Sequence, residues 1–262
     1  MPAEEVIGEL DDFLKPKPRI DYLTFSGSGE PTLHKGIGRI IRHLKRKHPS
    51  YRIAVLTNGS LFYRKKVRDD VMRADLIIPS LDAVSDTAFR KISRPFRRLN
   101  NRKIISGLEN LRKEFPGEIW LEYFIIPGIN DIGAEMKLLL SAFKRINPDK
   151  IQLNTLDRPG SEVWVRPADR KKLESIVEFL KPLPAEIIAP FDGKNRCDGF
   201  DSDIPEKILA TIKRRPCTAR DLSDILGIHR NEINKYLGKF LSAGKIEGKK
   251  QARGTFFSTV KK

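Results

Sequence analysis

Short apolar runs recur along the first 200 residues, and between them apolar positions repeat every three or four residues. The runs predict strands at Tyr22 to Phe25, Ile53 to Leu56, Leu76 to Ser80, Ile119 to Ile126, Lys150 to Leu153 and Glu186 to Ala189. Ile37, Ile40, Ile41 and Leu44 fall at the spacing that puts one apolar stripe on a helix. Met136, Leu139, Leu140 and Phe143 repeat it, as do Leu173, Ile176, Val177 and Leu180. Strand–helix alternation at this rhythm predicts a mostly parallel sheet, open or curled into a barrel. Residues 3–14 read as a helix that enters before the first visible strand, so a strand upstream of it is expected to be missing.

The pattern breaks at Pro190 to Ser202, where Asp-Gly-Lys-Asn-Arg-Cys-Asp-Gly-Phe-Asp is polar and turn-rich. Beyond it, helices are expected at Ile204 to Lys213, Thr218 to Leu226 and His229 to Ala243. Thr218 with Asp221 three residues on resembles a capping box, and Gly227 makes the turn. Lys245 to Glu247 and Thr255 to Ser258 flank two glycines, as the strands of a hairpin do. Three helices and a hairpin predict a winged helix-turn-helix. Its third helix buries Ile233, Leu237, Phe240 and Leu241 and turns Arg230, Asn231, Asn234 and Lys235 outward. The expected organisation is a barrel-like domain over 1–190, a linker over 191–202 and the winged helix over 203–262.

Composition narrows the class. A chain of 262 residues, 39% hydrophobic, has room for one large α/β domain and a small module. No apolar run approaches the roughly 18 residues of a membrane span, and the acidic N-terminus carries no signal-peptide run. Two cysteines, Cys197 and Cys217, argue against a disulfide framework and for a reducing cytoplasm. The four histidines show no paired ligand spacing, so no metal ligands are assigned. The net charge of +16 fits either polyanionic partners or a charge-rich solvated surface. Basic residues are densest after residue 200.

Thr24-Phe25-Ser26-Gly27-Ser28-Gly29-Glu30-Pro31-Thr32-Leu33 follows the first strand, at the sheet mouth where ligands bind. Thr32 stands where a dinucleotide fingerprint needs glycine, and no Gly-Lys-Ser/Thr follows for a Walker loop. Later strands end in Thr57-Asn58-Gly59-Ser60, Pro79-Ser80-Leu81-Asp82-Ala83 and Gln152-Leu153-Asn154-Thr155. Each of these is read singly as a helix cap, and as a set they suggest a polar cradle for a ligand. Glu122, on the fourth strand, is given no role.

These segments, with Pro-Gly-Ile-Asn-Asp at 127–131, occur in the same order in the radical S-adenosylmethionine (SAM) superfamily. The chain resembles its Fe–S oxidoreductase branch with a C-terminal winged helix, related to wyosine-type tRNA-modification enzymes. The resemblance implies a (β/α)6 partial barrel lacking its first strand, with SAM and a [4Fe–4S] cluster as cofactors. It implies that Gly27, Ser28, Gly29, Glu30 and Pro31 receive the methionyl amino group, with Thr57 and Asn58 beside it. Ser80 and Asp82 are implied at the ribose or the methionyl carboxylate, and Asn154 near the adenine.

The chain departs from the family at the Cys-x3-Cys-x2-Cys loop that binds the cluster, which it does not contain. That loop would precede residue 1, so the chain is expected to be truncated through a misassigned start, a fragmentary gene or a true loss. As it stands it is expected not to cleave SAM reductively, and no catalytic residue is assigned. The alternative is a non-catalytic SAM-fold scaffold with a nucleic-acid-binding winged helix. Arg90, Lys91, Arg94, Arg97, Arg98, Arg102 and Lys103 place positive charge near the cavity mouth, where RNA or a phosphorylated substrate could dock. Arg230 and Asn231 could read base edges, while Lys249, Lys250 and Arg253 could follow phosphates of RNA or DNA.

Overall fold

The computed structural model describes residues 1–27, 29–156, 162, 164–188, 204–228, 230–251 and 253–260. The expected linker over 191–202, Cys197 and Ser28 lie outside the described residues. The chain divides into two units, one of residues 1–155 and 167–188, the other of 156–166 and 189–262.

In the first unit α1 (Ala3–Leu14) leads into β1 (Leu23–Phe25), α2 (Ile37–Lys47), β2 (Ile53–Thr57) and α3 (Lys65–Val71). Then come β3 (Leu76–Pro79), α4 (Asp86–Ser93), α5 (Asn101–Glu114), β4 (Glu118–Ile125) and α6 (Gly133–Ile146). The unit ends with β5 (Lys150–Thr155), α7 (Arg170–Leu180) and β6 (Ala185–Ile187). The six strands are parallel and lie in sequence order from β1 to β6. Every crossover therefore steps in the same direction, and right-handed crossovers then place all helices on one face. Burial confirms this. Ile53, Val55, Ile77, Ile119, Leu121, Tyr123, Ile125, Ile151 and Leu153 share one strand parity, and all pack with the helices in a single core. On the opposite parity Leu56, Ile78, Glu122, Phe124 and Asn154 stay partly or fully exposed, whereas Ala54 and Leu76, nearer the strand starts, are buried.

The helices form as the apolar spacing predicts, with Ile37, Ile40, Ile41 and Leu44 of α2 at most 2% exposed. Side chains fix several helix starts: Ser85 accepts from Ala88 N, Asn100 from Lys103 N and Asp169 from Lys172 N. Gly107 lets α5 press against the turn after β2, since a Cβ there would meet Tyr63 N at 2.5 Å and Phe62 C at 2.6 Å. Helices α3, α4 and α5 were not named as separate elements from the sequence, although Ile104, Leu108 and Leu111 give α5 a regular buried stripe. Ser80 falls just past β3, where a single bridge pairs it with Glu122.

The second unit holds α8 (Ile204–Arg214), β7 (Cys217–Thr218), α9 (Ala219–Leu226), α10 (Arg230–Ser242), β8 (Ile246–Gln251) and β9 (Gly254–Thr259). The strands form an antiparallel sheet in the order β7-β9-β8. The capping box at Thr218 and Asp221 is present, and Gly227 ends α9 at φ 66°. Ile208, Ile212, Cys217, Leu222, Ile233, Leu237, Phe240 and Ile246 form its core. Leu241, expected in that core, is instead 43% exposed. Positions 233, 237 and 240 already fill the buried stripe, and the next residue lies at its rim. The short strand β7 was not foreseen, because two residues carry no periodicity.

Candidate functional site at the strand tips

Parallel strands deliver their C-terminal ends to one edge of the sheet, and the polar residues at that edge are joined by a few side chains. Glu30, after β1, makes the first join. Its Oε1 accepts from Thr32 N at 3.0 Å, from Thr32 Oγ1 at 2.5 Å and from Thr57 Oγ1 at 2.6 Å. Its Oε2 accepts from Asn58 N at 2.8 Å. One carboxylate thus latches the turn after β1 to the tip of β2, and Oε2 keeps most of the unused acceptor capacity. Pro31 starts a single 3-10 turn that continues to Leu33. A Cβ at Gly29 would meet nothing within 4 Å, and one at Gly27 only Gly29 N at 4.0 Å. Among the described residues packing requires neither glycine, so a ligand can approach the backbone at both.

Glu122 makes the second join. Its Oε2 accepts from Ser80 Oγ at 3.2 Å and its Oε1 from Asn154 Nδ2 at 3.0 Å, so it spans β3, β4 and β5. Next to it, Asp82 Oδ1 accepts from Phe124 N at 2.8 Å. This bond serves a β4 amide that β3 no longer reaches once the chain turns away after Ser80. Desolvation pushes the Asp82 carboxyl up to about 7; the Phe124 amide opposes this, and the Glu122 charge adds to it.

The tip carrying Ser80 and Asp82 is gripped from several sides. Asn130, fully buried, accepts from Ile126 N at 2.7 Å and donates to Asp82 O at 2.9 Å and Phe124 O at 2.7 Å. Tyr123 Oη donates to Asn130 O, and Asp131 Oδ1 accepts from Gly128 N at 2.6 Å. The Pro-Gly-Ile-Asn-Asp segment is therefore a brace between the tips of β3 and β4. Glu135, in the first turn of α6, accepts from Val84 N and Ser85 N, while Asn101 Nδ2 donates to Val84 O at 3.0 Å.

The other end of the exposed face is closed differently. Arg52 pairs with Glu118 at 3.0 Å and covers the Tyr22 ring, while Lys150 covers the Trp120 ring and pairs with Glu186 at 3.6 Å. The face thus runs from a charge-and-aromatic belt at the strand starts to three carboxylates, Glu30, Asp82 and Glu122, at the tips.

Of the residues expected from the sequence, Gly27, Gly29, Glu30, Pro31, Thr57, Asn58, Ser80, Asp82 and Asn154 all lie at this edge. Bonds connect Glu30 with Thr57 and Asn58, and Glu122 connects Ser80 with Asn154. Glu122 was the omission. Its signal was alternation: Glu118, Trp120, Glu122 and Phe124 share one face, and Ile119, Leu121, Tyr123 and Ile125 the other. A cavity of about 530 Å³ opens elsewhere, among the helices, and is lined by Ser85, Asn101, Ile105, Ser106 and Arg145. It holds none of the tip carboxylates. On α10 Arg230, Asn231, Asn234 and Lys235 are all exposed.

Chemically, the tips offer carboxylates, a proton-holding acid and open backbone. That set suits a zwitterion bearing an extra positive charge, such as a sulfonium amino acid. The donor set does not suit an iron–sulfur cluster. Such clusters take cysteine thiolates, and the chain has two cysteines: Cys197, and Cys217, which is buried in the second unit's core.

Residues 1–139 match the family model described as Radical SAM superfamily. A protein named GTPase Obg from Brachyspira hyodysenteriae is 32% identical over 246 residues, which cover 93% of this chain and 36% of that protein. The chain thus spans about a third of that relative's length. A UPF0026 protein of Helicobacter pylori is 30% identical over 241 residues, covering 91% of this chain and 75% of the relative. Among solved structures, Streptococcus suis SuiB bound to S-adenosylmethionine superposes with a TM-score of 0.56 at 10% identity, covering 72% of this chain and 44% of SuiB.

Proposed function

Because the chain belongs to the radical SAM superfamily and groups with the UPF0026 proteins, we propose that its strand-tip edge is a binding site for SAM. The observation that carries this reading is the convergence of Glu30, Asp82 and Glu122, with their bonded partners, at one edge of the sheet.

Gly27, Gly29, Glu30 and Pro31 hold the methionyl amino group in this reading, with Thr57 and Asn58 alongside, and Ser28 is assigned with them. Ser80 and Asp82 face the ribose or the methionyl carboxylate, and Asn154 the adenine. Glu122 keeps Ser80 and Asn154 in place between them. When bound, SAM supplies a sulfonium-activated carbon. The chain's own residues orient it, and Asp82 holds or releases a proton near neutral pH. No step is assigned through a [4Fe–4S] cluster, whose ligands these residues do not provide. In this reading the chain binds SAM without cleaving it reductively and works in a reducing cytoplasm, a reading its two cysteines support.

The unit from residue 203 is read as a winged helix-turn-helix. The order α8, β7, α9, α10, β8, β9 supports it, as does the pairing of β7 with β9. Arg230, Asn231, Asn234 and Lys235 then form its outward face toward nucleic acid.

Equilibrium dialysis of the chain with labelled SAM tests the central claim. Saturable binding is expected, weaker for neutral-sulfur S-adenosylhomocysteine and with no SAM breakdown under dithionite after iron and sulfide reconstitution. Failure of SAM to bind at millimolar concentration would sink it.

A further inference from the structure

We infer that the rim of the first unit, around Phe96 and Tyr63, is a docking platform for single-stranded nucleic acid. From Thr87 to Leu108 the chain carries seven basic residues and no acidic one. In the middle of that stretch Phe96 is 77% exposed, with Arg94, Arg97 and Arg98 exposed beside it. A hydrogen bond from Leu99 N to Phe96 O, at 2.8 Å, shapes the turn that presents the ring. Within the stretch Asn101 ties it to the loop after β3 by donating to Val84 O at 3.0 Å.

A second aromatic extends the surface. Tyr63, in the turn after β2, is 38% exposed and has Arg64 5.4 Å and Lys103 5.9 Å from its ring centre. Lys103 belongs to the first turn of α5, so the basic stretch reaches the Tyr63 ring. Exposed rings interleaved with guanidinium and ammonium groups offer what a strand of unpaired bases needs. The bases have a surface to stack on, and the phosphates have cations to meet. A duplex keeps its bases stacked inside and would use only the charges.

Fluorescence anisotropy with labelled oligo(U), oligo(dT) and a blunt duplex of about 15 nucleotides, long enough for such a platform, reads the binding directly. Single strands are expected to bind more tightly than the duplex. Phe96→Ala and Tyr63→Ala are each expected to weaken oligo(U) binding about fivefold to tenfold, with the circular-dichroism spectrum unchanged. Arg97→Glu together with Arg98→Glu should reduce the slope of log affinity against log salt by about 1.4, the signature of two lost phosphate contacts. Equal binding of duplex and single strands, or unaltered binding by both aromatic variants, would overturn the inference. So would loss of binding only on Arg230→Glu with Lys235→Glu, since that places the contact on the second unit. Full displacement by polyglutamate at equal charge would point to an acidic protein partner instead and would also overturn it.

Discussion

The Glu30 carboxylate lies 2.6 Å from the Thr57 hydroxyl, so a single bond fastens the turn after β1 to the tip of β2. With its other three bonds, Glu30 acts more as a fastener than as a free charge. Glu30→Gln replaces charge-assisted bonds with weaker ones and leaves Oε2 as an amide nitrogen facing Asn58 N. A loss of about 2 kcal/mol in urea unfolding is expected. An unchanged midpoint would show that the latch contributes nothing.

Glu122 grips Ser80 and Asn154 with separate oxygens. Glu122→Gln should lower SAM affinity about tenfold by calorimetry, because one end of the amide can no longer accept a bond. Glu118→Gln, in the belt at the opposite end of the same strand face, should leave affinity unchanged. Equal effects of the two would mean that the tip has no special role.

Asp82 gives the unit a stability that depends on pH with an unusual sign. Its carboxyl, raised to about 7 chiefly by desolvation, binds a proton more tightly in the folded chain than in the unfolded one. Between about pH 4 and pH 7 the native state therefore holds more protons, and stability falls as pH rises through that window. Asp82→Asn removes the titration and keeps an acceptor for Phe124 N. Urea midpoints of wild type and variant should converge near pH 4, with the variant the more stable above pH 7. Parallel curves would exclude this.

Asp11 titrates with the opposite sign. Desolvation raises it, but Lys47, His43 and His48 together outweigh that and hold the carboxyl well below its usual range. The bonds are 2.7 Å to Lys47, 3.0 Å to His43 and 2.9 Å to His48. Their stability is present above about pH 4 and is lost as pH falls further. Asp11→Asn should flatten the acid limb of the unfolding curve and loosen α1, seen as faster amide exchange over residues 3–14.

In the second unit Asp221 accepts from Thr218 N at 2.9 Å and pairs with Arg253 at 2.6 Å, while Thr218 caps α9. Thr218→Ala should cost about 1 kcal/mol. Asp221→Ala should cost more, about 2 kcal/mol, since it also removes the bond to Arg253. Amide exchange over residues 204–260 of the whole chain, compared between wild type and the two variants, provides the check.

The strands were legible because their apolar runs face a core on at least one side, and α2, α6 and α7 because their stripes are regular. The tip residues were legible as types: Ser, Asn, Asp and Thr after a strand mark a turn whatever their purpose. What could not be read was their connection. Nothing local to Glu122 announces that it reaches Ser80, 42 residues earlier, and Asn154, 32 later. That follows only from register, which sets which parity of each strand shares a face. Glu135 was hidden for a related reason. An acid in a helix's first turn looks like a favourable charge at the helix start, whereas its bonds go to Val84 and Ser85 in another loop.

The strand order has one more consequence. Since the chain winds round in a single direction, each tip is followed by a connection of its own, and no two neighbours share one. Lengthening any one connection leaves the others anchored, so new specificity can arise loop by loop while the interior stays as it is.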